Sequence, residues 1–230
     1  MTLLKNKEPF LNNQFNSLIF WLAIIFSFIN ILLIVTSSGH LIELYGKENY
    51  ARWIFYYHVP IAWNAGICFI LAGLNSFLYL KTNKINYDFR ALSFAELGTL
   101  FGILILITGS LWAKSEWGVY WSWEARLTTT LILVLIYFGY FMIQKYGGTY
   151  EKTSINRSYI SLLSTIMIPV IYYSVKFFKD DFQSHPQNGA YFEYGGLQIF
   201  FFSLLSFSLL LVFLHNYRIF YLNKKRNAIK

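Results

Sequence analysis

A tryptophan-rich segment is the most unusual local feature of the sequence. Four of the seven tryptophans fall within twelve residues: Trp112, Trp117, Trp121 and Trp123. If the segment is helical, Trp117, Trp121 and Glu124 share one face at positions i, i+4 and i+7, and Gly118 allows a partner to approach the rings closely. The spacing predicts a surface for a flat apolar ligand, with anchoring of the rings at a membrane interface as the equal alternative.

Two histidines are candidate metal ligands. His58 stands two residues before Pro60, and proline is tolerated in the first turn of a helix, so we expect His58 at a helix start near a surface. His185 lies in a polar segment, Ser184 to Asn188. Each is compatible with an ordinary interfacial or solvated histidine, and each is compatible with iron, for which neutral imidazole is a good ligand.

The other two histidines are weaker candidates. His40 follows Ser37, Ser38 and Gly39 at the end of an apolar run, where it is a possible substitute ligand or part of a simple helix exit. His215 falls at the far end of the last apolar run beside Arg218, and we assign it no role.

The composition shows which elements must position these residues. Of the 230 residues, 56% are hydrophobic and 13% are charged, against roughly 25% charged in an average soluble domain. Apolar runs near twenty residues occur six times, at about 17–38, 54–80, 91–112, 125–144, 158–177 and 196–217. The sequence therefore predicts an all-α integral membrane protein with six transmembrane helices, forming one domain over residues 1–230.

The basic residues predict an orientation. Thirteen Lys and Arg residues lie in the segments on the amino-terminal side of the membrane, and six lie in the opposite loops. By the positive-inside rule both termini should lie inside. His58, His185 and the tryptophans would then share the outer face, where two imidazoles could close the axial positions of a haem whose macrocycle rests on aromatic surface.

Several other functions are excluded by what the sequence contains. Cys68 is the only cysteine, so no disulfide or Cys-x-x-Cys pair can form within the chain. Nucleotide-binding loops, HExxH helices and CxxCH haem-attachment motifs do not occur, so any ATP-driven step would belong to another subunit. The net charge of +8 sits in short membrane flanks and does not indicate nucleic acid.

The third apolar run carries an ionisable residue and two glycines. Glu96 lies several residues inside this run, where a charge is expensive. We expect a neutral carboxyl group in a tightly packed region, with a role in proton coupling as the alternative. Gly98 and Gly102 have GxxxG spacing, which predicts close packing on a neighbouring helix.

The segment from Trp117 to Glu124 resembles the WGxxWxWD signature of the haem-handling proteins of cytochrome c maturation, with Glu124 in place of the usual Asp. Residues 108–114, 58–63 and 125–128 resemble the haem exporter protein C branch of that family. The resemblance runs from about residue 52 to 144 and continues more weakly through the last two helices.

The resemblance implies a haem-binding protein that performs ligand handover and is not an enzyme. Haem b would be a transient cargo, with His58 and His185 as axial ligands and an outward loop of about residues 112–126 as its cradle. The implied cradle residues are Trp112, Trp117, Gly118, Tyr120, Trp121, Trp123, Glu124 and Arg126.

The resemblance also implies partners and a location. The haem would pass to the haem chaperone of the maturation system, alongside an ABC-type ATPase and permease pair and a small membrane subunit. The membrane would be the inner (plasma) membrane of a bacterium or an inner organellar membrane.

The sequence is also compatible with two other functions. One is a subunit of the larger cytochrome c synthase branch, which attaches haem covalently and shares Tyr120 and Ser122 with this chain. The other is a structural or transport subunit without haem, in which the tryptophans are anchors and Glu96 is a proton site.

Overall fold

The computed structural model describes residues 10–45, 51–177 and 196–229. Helices account for nearly all of these residues, and none of them is in a strand. A short 3₁₀ helix, Phe10–Asn12, precedes seven α-helices: α1 Gln14–Tyr45, α2 Ala51–Thr82, α3 Ile85–Trp117, α4 Ala125–Tyr146, α5 Tyr150–Ser164, α6 Met167–Phe177 and α7 Gly196–Ile229.

The helices form six segments that are long and apolar enough to cross a membrane. Helices α5 and α6 are separated by a two-residue turn and together make one of these segments, Tyr150–Lys176. The predicted all-helical protein with six spans is therefore confirmed. The helices extend beyond the apolar runs: α3 begins at Ile85 and not near residue 91, because its first turns carry polar residues that a hydropathy scan passes over.

The segments that connect the helices define the two ends of the bundle. We call the end that holds residues 118–124, between α3 and α4, the tryptophan end. Residues 83–84 and 147–149 connect helices at the opposite end. Because six crossings return the chain to its starting side, the beginning of α1 and the end of α7 both lie at the opposite end.

Helices α2 and α3 form the most extensive pair in the bundle. A side-chain carbon added at Gly98 would lie 2.9 Å from the ring of Phe69 on α2, and one at Gly102 would lie 2.8 Å from Val134 on α4. Neither position has room for a methyl group. The predicted close packing at these two glycines is confirmed.

Polar contacts between side chains join α7 to α1 and α2. The hydroxyl of Ser203 donates to Oδ1 of Asn30 at 2.6 Å, and that of Ser208 donates to Oδ1 of Asn64 at 3.1 Å. In hydrocarbon, polar groups that bond across helices hold the helices together, because lipid offers them no partner. The contact between Asn30 and Ser203 ties the first helix to the last.

A buried ion pair closes the opposite end of the bundle. Arg157 on α5 donates to Asp88 in the first turn of α3 at 2.9 Å, and their side chains are 3% and 2% exposed. The hydroxyl of Tyr150 donates to the same carboxylate at 2.5 Å. The ring of Tyr140 on α4 lies 5.5 Å from the guanidinium carbon of Arg157. Side chains of α3, α4 and α5 therefore meet around this guanidinium.

A second ion pair corrects the expectation for Glu96. Arg218 on α7 donates through Nε and Nη2 to the two carboxylate oxygens of Glu96, at 2.6 and 2.5 Å. An arginine is always charged, and this two-point geometry is that of a guanidinium on an ionised carboxylate. The predicted neutral Glu96 is therefore wrong, because α7 brings it a cation from 122 residues away in the chain.

His215 is held on the same side of the bundle as this second pair. Its ring stacks on Phe94 at a centroid distance of 3.9 Å, and Nδ1 lies 3.0 Å from the hydroxyl of Ser93. Ser93 is fifteen residues before Thr108 on α3, which is about 22 Å along the helix axis. His215 is therefore far from the tryptophan end.

The substitution Asp88→Asn should strongly destabilise the protein, because it leaves the charge of Arg157 buried without its counter-ion. The expected loss in free energy of unfolding is about 3 kcal/mol or more, measured by reversible denaturation in mixed micelles. Glu151→Gln is the matched control, since Glu151 is an exposed acidic residue in the first turn of α5. Equal stability of Asp88→Asn and the control would contradict a structural role for the buried pair.

Candidate functional site

His58 lies two helical turns inside α2 and not at the start of a helix. The helix begins at Ala51, so Pro60 is an interior residue of it. The prediction that Pro60 marks the first turn is wrong. The reason is tertiary packing: Tyr56 is buried against Ile34 and Phe200, together with the partly buried Trp53 and Phe55, which extends α2 toward the tryptophan end.

The imidazole of His58 contacts α3. Its Nδ1 lies 2.9 Å from the hydroxyl oxygen of Thr108, and that hydroxyl also lies 2.7 Å from the carbonyl oxygen of Leu104. A side-chain carbon at Gly109 would lie 3.1 Å from Cε1 of the same ring. His58 is thus packed against two consecutive residues of α3.

The first tryptophan pair lies one helical turn beyond this contact. Trp112 follows Thr108 by four residues on α3, so its side chain leaves the helix on the same face, about 6 Å further along the axis. The rings of Trp112 and Trp117 meet edge to face at 5.0 Å. The structure therefore brings His58 and the beginning of the tryptophan segment to the same end of the α2 and α3 pair.

Helix α3 ends at Trp117 because Gly118 takes a left-handed conformation. Gly118 has φ of +75°, and its amide donates to the carbonyl of Lys114. The Lys114 ammonium in turn donates to the carbonyl of Gly118 at 2.8 Å. Nothing lies within 4 Å of a side-chain carbon placed at Gly118, so within the described residues it is the backbone angle that requires a glycine here. The close approach of a ligand to the rings stays a prediction.

The tryptophans do not form a single helical strip. Only residues 118–124 of the predicted 112–126 loop lie outside helices, so the i, i+4, i+7 relation between Trp117, Trp121 and Glu124 does not exist. The rings form two edge-to-face pairs: Trp112 with Trp117, and Trp121 with Trp123 at 5.6 Å. The prediction of one strip is wrong because a left-handed glycine interrupts it.

The connection between α3 and α4 exposes apolar and aromatic surface. Trp123 is 77% exposed, Tyr120 is 59% exposed and Val119 is 47% exposed. The Lys114 ammonium lies 5.3 Å from the centre of the Tyr120 ring. Large apolar side chains exposed at the end of a membrane bundle suit contact with an apolar ligand or with the interface of the bilayer.

This connection holds buried hydrogen-bond donors for which the described residues supply no acceptor. Among them are Nε1 of Trp121, which can only donate, and the hydroxyl of Ser122. A buried donor that lacks an acceptor is costly. These two groups are therefore suited to donate hydrogen bonds to an oxygen-bearing ligand or to a further segment of the chain.

The beginning of α4 contributes the charged residues of the site. Glu124 is only 6% exposed and immediately precedes α4. Arg126 lies in the first turn of α4, and its Nη2 donates to the backbone carbonyl of Tyr172 on α6 at 3.4 Å. These residues bring a carboxylate and a guanidinium to the tryptophan end and connect that end to α6.

Two of the predicted ligands are placed only partly or not at all. His185 lies outside the described residues, so its pairing with His58 stays a prediction. His40 is on α1 at the tryptophan end, and only its backbone is described. Thr108 belongs to the segment 108–114 that carries the family resemblance, but the sequence gives it no role in the site. Its position four residues before Trp112 on a helix is the signal that places it there.

Comparison with known proteins identifies the family. The sequence profile of haem exporter protein C matches residues 4–228. The chain belongs to the haem exporter protein C family. This agrees with the resemblance carried by the tryptophan motif and extends it over nearly the whole chain.

Individual relatives support the same assignment. A ccmC-like mitochondrial protein of cytochrome c biosynthesis from Marchantia polymorpha is 36% identical over 128 residues, which is 56% of this chain and 53% of the relative. The haem exporter protein C of Bradyrhizobium diazoefficiens is 34% identical over 122 residues, 53% of this chain and 46% of the relative. That of Escherichia coli K12 is 32% identical over 124 residues, 54% of this chain and 50% of the relative. The chain spans about half the length of the curated relatives it matches.

In this member of the haem exporter protein C family, Gly118→Ala should destabilise the tryptophan end. A left-handed conformation costs an alanine about 1 kcal/mol, and the shift should also change the tryptophan fluorescence of the folded protein. Gly139→Ala is the control, since Gly139 is inside α4 with nothing within 4 Å of the added carbon. If both alanine variants unfold and fluoresce alike, the left-handed end of α3 is not what shapes this connection.

Proposed function

We propose that this chain binds haem at the tryptophan end, on the outer face of the membrane, and hands it to a haem chaperone during cytochrome c maturation. The observation that carries the proposal is the placement of His58, held against α3 one turn before Trp112, at the end where the tryptophans and Arg126 lie. A nitrogen ligand suits the haem iron, aromatic surface suits its flat macrocycle, and cationic or neutral hydrogen-bond donors suit its carboxylates.

His58 is the first axial ligand in this proposal. Imidazole is a common axial ligand of haem iron, and the α2 and α3 pair fixes the ring by packing and by a hydrogen bond. His185 is the second ligand. In the family, haem is the molecule named as exported, which favours haem over other ligands that two histidines could bind.

The two tryptophan pairs supply the cradle for the macrocycle. The rings of each pair meet edge to face and offer aromatic surface to a flat apolar ligand, and Trp123 and Tyr120 expose most of their surface. Haem carries two carboxylates, which suit the buried donors of Trp121 and Ser122 and the guanidinium of Arg126. Glu124 lies beside these groups.

The chemistry proposed is an exchange of axial ligands, with no covalent bond made or broken in the porphyrin. Trp123 and Tyr120 are exposed at this end of the bundle, so a chaperone can contact the haem there while the α2 and α3 pair keeps hold of its ligand. When haem is bound, its iron supplies the exchangeable coordination positions. An ABC-type ATPase and permease pair and a small membrane subunit complete the proposed system.

The orientation belongs to the same proposal. Both chain termini lie inside, and the tryptophan end lies outside. The excess of Lys and Arg in the segments of the opposite end supports this orientation. Mitochondrial and bacterial relatives agree with an inner membrane of either kind. In that membrane the haem site faces the compartment in which cytochromes c mature.

Replacement of His58 by alanine should remove or shift the haem spectrum. We expect the protein purified in mild detergent from haem-replete cells to show a low-spin haem absorption spectrum, and His58→Ala to lose most of that haem. His215→Ala is the matched control, because this histidine is held by Ser93 and Phe94 far from the tryptophan end. A spectrum that is unchanged in His58→Ala would sink the ligand assignment.

Cysteine labelling in whole cells tests the orientation. Cys68 is fully buried, so it gives little background. Val119→Cys, in the exposed connection at the tryptophan end, should react with a membrane-impermeant maleimide, whereas Lys152→Cys, exposed at the opposite end, should react only after lysis. The reverse pattern would place the tryptophan end inside.

A further inference from the structure

The hydroxyl of Thr108 determines which nitrogen of His58 carries the proton. This hydroxyl oxygen lies 2.7 Å from the carbonyl oxygen of Leu104 and 2.9 Å from Nδ1 of His58. A hydroxyl has one hydrogen, and two oxygens at 2.7 Å are favourable only if that hydrogen lies between them. The Thr108 hydrogen is therefore donated to Leu104.

The bond to Thr108 also fixes the position of the proton on the imidazole of His58. Because its hydrogen is used on Leu104, the Thr108 oxygen accepts a hydrogen bond, and Nδ1 of His58 must be the donor. A neutral imidazole has one N–H, so the unprotonated nitrogen with its lone pair is Nε2. The opposite tautomer would place two lone pairs opposite each other, either at Leu104 or at His58.

Gly109 limits where the ring can lie. A side-chain carbon there would be 3.1 Å from Cε1, 3.7 Å from Nδ1 and 4.0 Å from Nε2 of His58. The first distance is shorter than a relaxed contact, so even an alanine at 109 would shift the ring slightly from the position at which it bonds to Thr108. The two consecutive residues act on the ring together, one by a hydrogen bond and one by leaving space.

We propose that Thr108 and Gly109 are positioning residues of the haem site: they fix the orientation and tautomer of His58 so that Nε2 is presented to the iron. This inference rests on the proposed function and deepens it. The hydrogen bond also makes Nε2 more basic, as outer-shell partners of metal-binding histidines generally do. A more basic ligand binds ferric iron more strongly and holds the reduction potential lower.

The tautomer can be measured without haem. In protein labelled with nitrogen-15 histidine and purified haem-free, the His58 signals, assigned by their loss in His58→Gln, should show protonated Nδ1 and unprotonated Nε2 at mildly alkaline pH. Thr108→Val keeps the shape of the side chain and removes the hydroxyl, and it should shift His58 toward the Nε2–H form. Thr108→Ser should retain the wild-type pattern. Protonated Nε2 in the wild-type protein would overturn the proposal.

Haem binding gives the second test. Thr108→Val should lower haem affinity about 10- to 100-fold and move the reduction potential of the bound haem to a more positive value, and Thr108→Ser should restore both. Gly109→Ala should also weaken haem binding, whereas Gly66→Ala, with nothing within 4 Å of the added carbon, should not. An unchanged potential and affinity in Thr108→Val would overturn the positioning role.

Different results would overturn the ligand role of His58 and the positioning role of Thr108. A haem spectrum that survives His58→Ala would overturn the proposed ligand, whatever the tautomer of His58. A His58 ligand that is confirmed by its spectrum, in a protein whose haem-free His58 carries its proton on Nε2, would overturn only the role of Thr108.

Discussion

The register between α2 and α3 is the constraint on which the site depends. Gly98 packs against Phe69, and Gly109 packs against His58. Gly109 follows Gly98 by eleven residues on α3, and His58 precedes Phe69 by eleven residues on α2. Eleven residues make three turns of a helix, and the two helices are antiparallel. The register that packs Gly98 against Phe69 therefore also places His58 against Thr108. The position of this candidate ligand is set by helix packing and not by a loop.

The remaining contacts hold this pair in place. In a membrane bundle the apolar surfaces do not drive association, and close packing with buried polar bonds must supply it. The ion pair of Asp88 and Arg157 joins α3 to α5 at the opposite end, and Ser208 joins α7 to Asn64 on α2. Polar contacts thus tie α2 and α3 to the rest of the bundle, and Tyr120 and Trp123 in the connection between α3 and α4 stay exposed to a ligand.

Much of the architecture could be predicted from the sequence, because the bilayer imposes a length and an apolar character on every helix that crosses it. This constraint predicts the six spans, and the spacing of Gly98 and Gly102 predicts their close packing. The tryptophan motif also identified the family. Local signals misled where tertiary contacts outweighed them: Pro60 looked like a helix start until the packing of Tyr56 extended α2, and Gly118 interrupted the expected strip of tryptophans.

Pairings between distant residues could not be predicted from one sequence. Glu96 looked like a neutral carboxyl group because its partner, Arg218, is 122 residues away, and nothing local announces that the two meet. The same is true of His58 and Thr108, which are 50 residues apart. Composition and periodicity show which residues face a core, but the register of two helices decides which of them touch.

The structure of the haem-loaded protein in a lipid nanodisc would test the ligand assignment most directly. We predict iron bonded to Nε2 of His58, with Nδ1 still hydrogen-bonded to Thr108 and the macrocycle against the paired tryptophans. A haem whose iron is not bonded to His58, or one that lies beside His215 in the other half of the bundle, would contradict it.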